Sequence, residues 1–262
     1  MKYKGNASLL RRHGVVQVTP GQASRHGLAR VLSKLGVCSR TQAQALVRAG
    51  RVRVNDKIVL DPESPTDAQR DRISLDHEAV AAAEKAYLML NKPRGYVTTT
   101  SDEQGRDTVY ELLQDGSLPW LAPVGRLDKA SEGLLLFSND SEWAARLTEP
   151  ASHLDKTYHV QIDVLPDATL IQRLRAGIDD DGECLSAREV RELRRGEKNA
   201  WLEIVLDEGR NRHIRRLLAA LDIAVLRLVR VAIGPLALGA LAKGKWRVLS
   251  DDEVGMLKRS TR

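Results

Sequence analysis

Residues 133–140 read GLLLFSND. An apolar run of this length that ends in a turn is the pattern of a buried strand, and the chain has to build a sheet around it. The neighbouring segments supply the rest. YLMLNKP and GYVTTT read as strands around a Pro-Arg-Gly turn, TVYELL as a short helix, and SEWAARLTEP as a helix with Ser141 at its N-cap. KTYHVQIDV alternates as a strand, ATLIQRLRAGI reads as a helix, WLEIVLDEG as a strand and NRHIRRLLAALDI as a helix. Strands and helices mix without strict βαβ alternation. That predicts an α+β fold with a mainly antiparallel sheet.

The chain before this region has a different texture. Leu28, Val31, Leu32 and Leu35 follow helical spacing, and Gly36 ends the run. Ser39 with Gln42 makes a capping-box pattern, Ala43, Leu46 and Val47 supply an apolar face, and Gly50 fits the residue past the helix end. RVRVNDKIVL then alternates, turns at Asn55-Asp56 and returns, which predicts a hairpin. The organisation expected is a flexible basic tail over 1–26, a small helix–hairpin domain over 27–76 and an Ala-rich linker, open to helix formation, over 77–86. A larger domain over 87–250 and a C-terminal tail over 251–262 complete it.

Charge points to the class of partner. The net charge is +6 and the pI about 9.4, a balance that favours polyanions. Residues 27–60 carry seven Lys or Arg against one Asp, and RNRHIRR packs four arginines into seven residues. Cys38 and Cys184 stand alone without ligand spacing, so no metal is expected and a reducing compartment is. The longest uncharged apolar run, 231–242, has 12 residues and a proline. It is too short for a membrane span, and the N-terminus lacks an apolar signal core. A cytoplasmic protein without a membrane partner is expected, with monomer as the default.

VGRLDK, at 124–129, puts Asp128 just ahead of the buried strand. Taken alone, an acid there reads as a turn residue. The surrounding blocks change that. LARVLSKLGVCSRTQAQALVRAGRVRVNDKIVLDP resembles the S4 RNA-binding domain, through Ser39-Arg40, Gly50 and RVRVN. LNKPRGYVTT, VGRLD with EGLLLFSND, EPASHLDKTYHV and LDEGRNRHIRRLLAAL, in this order, resemble the bacterial pseudouridine synthases of small- and large-subunit ribosomal RNA. Those enzymes carry an N-terminal S4 domain, and the likeness covers about residues 27–250.

The resemblance implies an isomerisation in which uridine is cut from its sugar at N1, turned, and rejoined through C5, with no cofactor. The base must first be flipped out of the folded RNA. By motif position Asp128 is the carboxylate that acts on the nucleoside, Arg215 its counter-ion and Tyr158 the ring that stacks on uracil. Arg126 is expected to help displace the flipped nucleotide. Arg30, Arg40, Arg48, Arg51 and Arg53 in the S4-like domain, with Lys92, Lys156 and Arg212, are expected to face ribosomal RNA, a structural role being the alternative for Lys92 and Lys156. Arg212, Arg215 and Arg216 lie three or four residues apart and are expected on one helix face, so spacing leaves open which of them meets Asp128. Ser131 stands where the family commonly has threonine, His213 where it has glutamine, and Asp56 where the hairpin commonly has glycine. GRDTVYELL resembles the large-subunit enzymes slightly more, favouring 23S over 16S RNA. The alternative is a non-catalytic S4-type RNA-binding or ribosome-assembly factor. A hydrolase using the Asp would need a second carboxylate, and none stands at suggestive spacing.

Overall fold

The structure, a computed structural model, describes residues 25–100, 102–113 and 118–261. The basic tail expected over 1–26 lies outside these except for Arg25 and His26. The chain divides between Ala86 and Tyr87 into two compact units, with residues 118–122 counted in the first.

The first unit packs two helices, α1 (Leu28–Lys34) and α2 (Arg40–Arg48), with six short strands. These are β1 (His26–Gly27), β2 (Val52–Val54), β3 (Lys57–Ile58), β4 (Pro65–Thr66), β5 (Ile73–Leu75) and β6 (Glu78–Ala79). Strand order is β3-β2-β5-β6, and β1 pairs with β4. The Ser39–Gln42 capping box is present in both directions. Asn55 and Asp56 both take positive φ, 49° and 67°, as a two-residue hairpin turn of this hand demands. Asn and Asp tolerate that region better than other non-glycine residues. Leu28, Val31, Leu32, Ala43, Val47, Val52 and Ile73 form the core. Within the stretch expected as a linker, Glu78–Ala79 adds a strand and no helix forms.

The second unit runs β7 (Tyr87–Lys92), β8 (Ala122–Val124, of which Ala122 is counted in the first unit), β9 (Glu132–Ser138), α3 (Ser141–Thr148), β10 (Lys156–Ile162) and α4 (Ala168–Ala176). It continues through β11 (Ile178–Asp180), β12 (Glu183–Leu185), β13 (Glu189–Arg195), β14 (Ala200–Leu206) and α5 (His213–Ala219). β15 (Val225–Ile233), β16 (Leu236–Ala237), β17 (Trp246–Val248) and α6 (Asp251–Ser260) finish it. The sheet order is β13-β14-β10-β15-β9-β7-β17, with β8 and β16 on its flanks. Every pair along that order is antiparallel except β9 with β15. The α+β, mainly antiparallel expectation is borne out.

Two cores lie on this sheet. Val160, Ile162, Leu202, Ile204 and Leu228 meet Leu174 of α4 and Leu217 and Leu218 of α5. Met89, Leu134 and Leu136 meet Trp143 and Leu147 of α3 and Leu257 of α6. Leu257 is wholly buried, so residues 251–260 form a core helix where a tail was expected. Two local expectations shift. Asp140, not Ser141, caps α3, because its carboxylate reaches the Glu142 and Trp143 amides. GYVTTT makes only an isolated bridge at Val97, since its residues are used to hold a neighbouring loop.

One row of the sheet fixes the geometry that follows. Lys92 lies opposite Gly133, Gly133 opposite Arg230, Arg230 opposite Tyr158 and Tyr158 opposite Ile204. Tyr158 and Arg230, directly opposed across β10 and β15, point to one face. Gly133 has φ +101°, and a Cβ there would stand 2.2 Å from the Arg230 carbonyl oxygen. Gly133→Ala is therefore expected to destabilise the protein by about 3 kcal/mol or more. Urea unfolding checks this, and near-native stability would mean the β9–β15 approach is not tight.

Candidate active site

β8 delivers the chain to a tight turn at Gly125, which takes φ +77°. Arg126, Leu127 and Asp128 follow. Leu127 is buried, Arg126 exposed and Asp128 half-buried, so the apolar side chain anchors a loop that presents the other two. Backbone bonds add to that anchor. Thr98 Oγ1 donates to the Leu127 carbonyl at 2.7 Å and accepts from its amide at 3.3 Å. The Gly95 amide donates to Lys129 O, and the Ser131 amide donates to Asp128 O.

Lys92 completes the clamp. Its Nζ donates to the carbonyls of Pro93, Asp128 and Ser131 at 3.2, 3.0 and 2.8 Å. The residue is 0 % exposed. This corrects the expectation that Lys92 faces RNA: an ammonium with three carbonyl partners inside the protein has no donor left for a phosphate. Burial pulls its pKa down to about 8, against the attraction of Asp128 and Glu132.

Asp128 and Tyr158 line one cavity of about 450 Å³, together with Arg126, Lys156, Arg212 and Arg230. That size suits a small organic ligand. A second cavity, about 440 Å³, shares Arg126, Leu127 and Asp128 with the first, so the loop stands between the two. Tyr158 is half-buried, and its ring packs on the core beside Val160 and Leu228.

The arginines sort themselves by distance. Arg212 Nη1 stands 3.8 Å from the Asp128 carboxylate. Arg215 does not line the cavity; its Nη2 donates to Ala130 O at 3.3 Å, and its Nε is buried without a partner. Burial, then the Arg212 charge, pull Arg215 below the ordinary guanidinium value, while Asp128 acts the other way. Arg216 turns to Asp180 and Glu183. The single helix face expected for the three is absent, because Arg212 precedes α5 in a left-handed conformation (φ 48°).

In the first unit Arg30 and Arg48 are exposed. Arg40 pairs with Glu63 at 3.0 Å, Arg51 pairs with Asp76, and Arg53 donates to Asp56 O at 3.2 Å. Such half-exposed pairs are worth about 0–1 kcal/mol and yield readily to a phosphate. Among the described residues no cluster of three or more His, Cys, Asp or Glu is arranged to hold a metal ion.

The sequence of residues 86–220 matches the RNA pseudouridylate synthase family, and residues 27–68 match the S4 domain. The chain belongs to the RNA pseudouridylate synthase family. An RNA pseudouridine synthase of Aquifex aeolicus is 38% identical over 86% of this chain and 91% of its own length. Ribosomal large subunit pseudouridine synthase B of Bacillus subtilis is 32% identical over 88% of this chain and 95% of its own. A crystal structure of a pseudouridylate synthase superposes with a TM-score of 0.62 at 30% identity, covering 89% of this chain and 99% of the other. The chain is thus an RNA-modifying enzyme with an RNA-binding module.

Sequence reasoning missed the clamp on the synthase loop. Lys92 and Thr98 both sit in the LNKPRGYVTT block, so the signal was present without its geometry. Lys92→Met is expected to fold but to lose about tenfold or more in activity, because three carbonyls lose their donor. A pH signature accompanies it. With its folded pKa near 8 and an ordinary value of 10.5, Lys92 carries a burial penalty that is full below pH 8. The penalty is relieved between these values. Chemical denaturation should show the wild type gaining stability relative to Lys92→Met as pH rises from about 8 towards 10; a constant difference contradicts this.

Proposed function

We propose that this enzyme converts a specific uridine of ribosomal RNA to pseudouridine, with Asp128 as the carboxylate that attacks or deprotonates the nucleoside. The observation that carries the reading is one cavity holding Asp128, on a clamped loop, and Tyr158, with Arg212 beside the carboxylate. The N1–C1′ bond breaks, the uracil turns, and C5 bonds to C1′; C5 then gives up its proton and N1 is protonated. The product is an isomer, so no oxidant or cofactor enters.

The physics of each role follows from place. A nearby cation attracts a carboxylate and helps to orient it. Arg212 is nearest, and Arg215, the expected counter-ion, adds positive charge from beside the Ala130 carbonyl. Tyr158 offers a flat ring with a polar tip to the flipped base. Arg126, exposed and lining both cavities, takes the space the base vacates in this reading. The name of the Bacillus subtilis relative supports the large-subunit RNA as substrate, as does the GRDTVYELL block.

Asp128→Asn is expected to lower pseudouridine formation about a thousandfold or more while RNA affinity is retained. Pseudouridine mapping of ribosomal RNA from a deletion strain, complemented by the wild type or the variant, reads this out. Normal modification by the variant rejects the assignment.

The S4 arginines are expected to act by charge alone. Replacing Arg40, Arg48 and Arg51 with Gln should weaken RNA binding and make log K against log salt shallower by about 2. An unchanged slope moves the main RNA contact elsewhere.

A further inference from the structure

Arg230 is only 6 % exposed, yet it lines the large cavity. Its Nε donates to Leu134 O at 2.8 Å, but its Nη2 is buried with no partner. Lys156 lines the same cavity two residues before Tyr158. Because β-strand side chains alternate, Lys156 and Tyr158 share a face, and Arg230 stands opposite Tyr158 on that face. Neither Lys156 nor Arg230 has an ion pair among the described residues. The cavity's carboxylates are engaged or elsewhere: Glu208 bonds Arg210 at 2.8 Å, Asp128 faces Arg212, and Glu149 is exposed. Asp155, next to Lys156, is held by Arg188 at 2.7 Å.

Two cations sharing one cavity wall repel each other, and a buried guanidinium arm without a partner carries a desolvation cost. The fold nevertheless holds them there. Arg230 is fixed by the Gly133 approach on one side and its Nε bond on the other. Burial and the Arg230 charge both lower the pKa of Lys156, against the attraction of Asp155 and Asp207. An anion entering the cavity removes the repulsion and satisfies the orphan donor together.

We infer that Lys156 and Arg230 form an anion subsite within the cavity, which receives the phosphate of the nucleotide whose base lies against Tyr158. The inference rests on the uridine-modifying reading for the identity of that nucleotide. The subsite supplies binding energy remote from the reacting atoms. It anchors the flipped nucleotide by its backbone while the base is free to turn.

Mononucleotide binding tests this without turnover. The full-length protein is titrated with uridine 5′-monophosphate and, separately, with uridine, followed by NMR line broadening. The monophosphate is expected to bind the wild type about tenfold more tightly than uridine, since charge-assisted bonds to phosphate are at stake. Lys156→Met should erase most of that preference and leave uridine affinity unchanged. Arg230→Lys, which keeps the charge but loses the fork, should reduce it in part. A variant that merely misfolds would lose uridine binding as well, and the half-buried Lys156 position guards against that outcome. Equal affinity of the wild type for the two ligands, no monophosphate binding at tens of millimolar, or a preference unmoved by Lys156→Met overturns the subsite. Failure of the uridine-modifying reading would show separately, as normal pseudouridine formation by Asp128→Asn.

Discussion

Backbone contact at Gly133 sets where Arg230 and its strand neighbours stand. β9 and β15 form the one parallel pair within the main order of the described sheet, and β9 meets β7 antiparallel on its other side. At Gly133 it touches both at once. Lys92 lies on one side and Arg230 on the other, with Tyr158 one strand further. A side chain at position 133 would push Arg230 away by its own backbone, and the row would lose register. The loop bearing Asp128 ends at the foot of the same strand. Tyr158, Lys156 and Arg230 are thus placed by strand pairing, which is stiff, and Asp128 by a loop.

That loop needs its own stiffness, and the sequence spends a buried ammonium on it. A lysine without an acid partner in the interior is costly. Here three carbonyls share the charge, two of them from the Asp128 turn. Thr98 and Gly95 bind the same turn from the other chain segment. The loop therefore has few alternative conformations, and the carboxylate stays within reach of one point in the cavity. Positioning of this kind lowers a barrier by removing motions that a freer loop would have to freeze during the reaction.

Local features were legible in the chain. The Ser39–Gln42 box, the Asn55-Asp56 turn and the apolar 133–137 run each act through neighbours within a few residues, and each forms. Asp128 and Tyr158 were found through spaced blocks, and the structure brings them to one cavity. What stayed hidden depends on distant partners. A lysine in NKP looks like any surface lysine until three carbonyls from residues 93–131 surround it. Arg212 looked helical because its spacing to Arg215 and Arg216 is helical; its left-handed backbone, set by the turn from β14, breaks the face. Arg230 went unremarked because one arginine in an alternating strand carries no sign of being buried.

A second carboxylate stands near the site, and its treatment sharpens the role of the first. Glu132 follows Asp128 by four residues and is 1 % exposed. Burial alone would raise its pKa, but the bonds from Arg227, 3.1 Å at each oxygen, and from Lys243 outweigh that and hold it below the ordinary value. Both oxygens are occupied, and the Arg227 guanidinium is itself stacked on Trp201. Glu132 is thereby an ionised but closed carboxylate, tied to β15 and to the segment after β16. Asp128 has one cation at 3.8 Å and stays half-open to the cavity. Of two acids four residues apart, the fold has bonded one into its frame and left the other open to the cavity. The asymmetry lies in what surrounds each acid, since both belong to the same short segment.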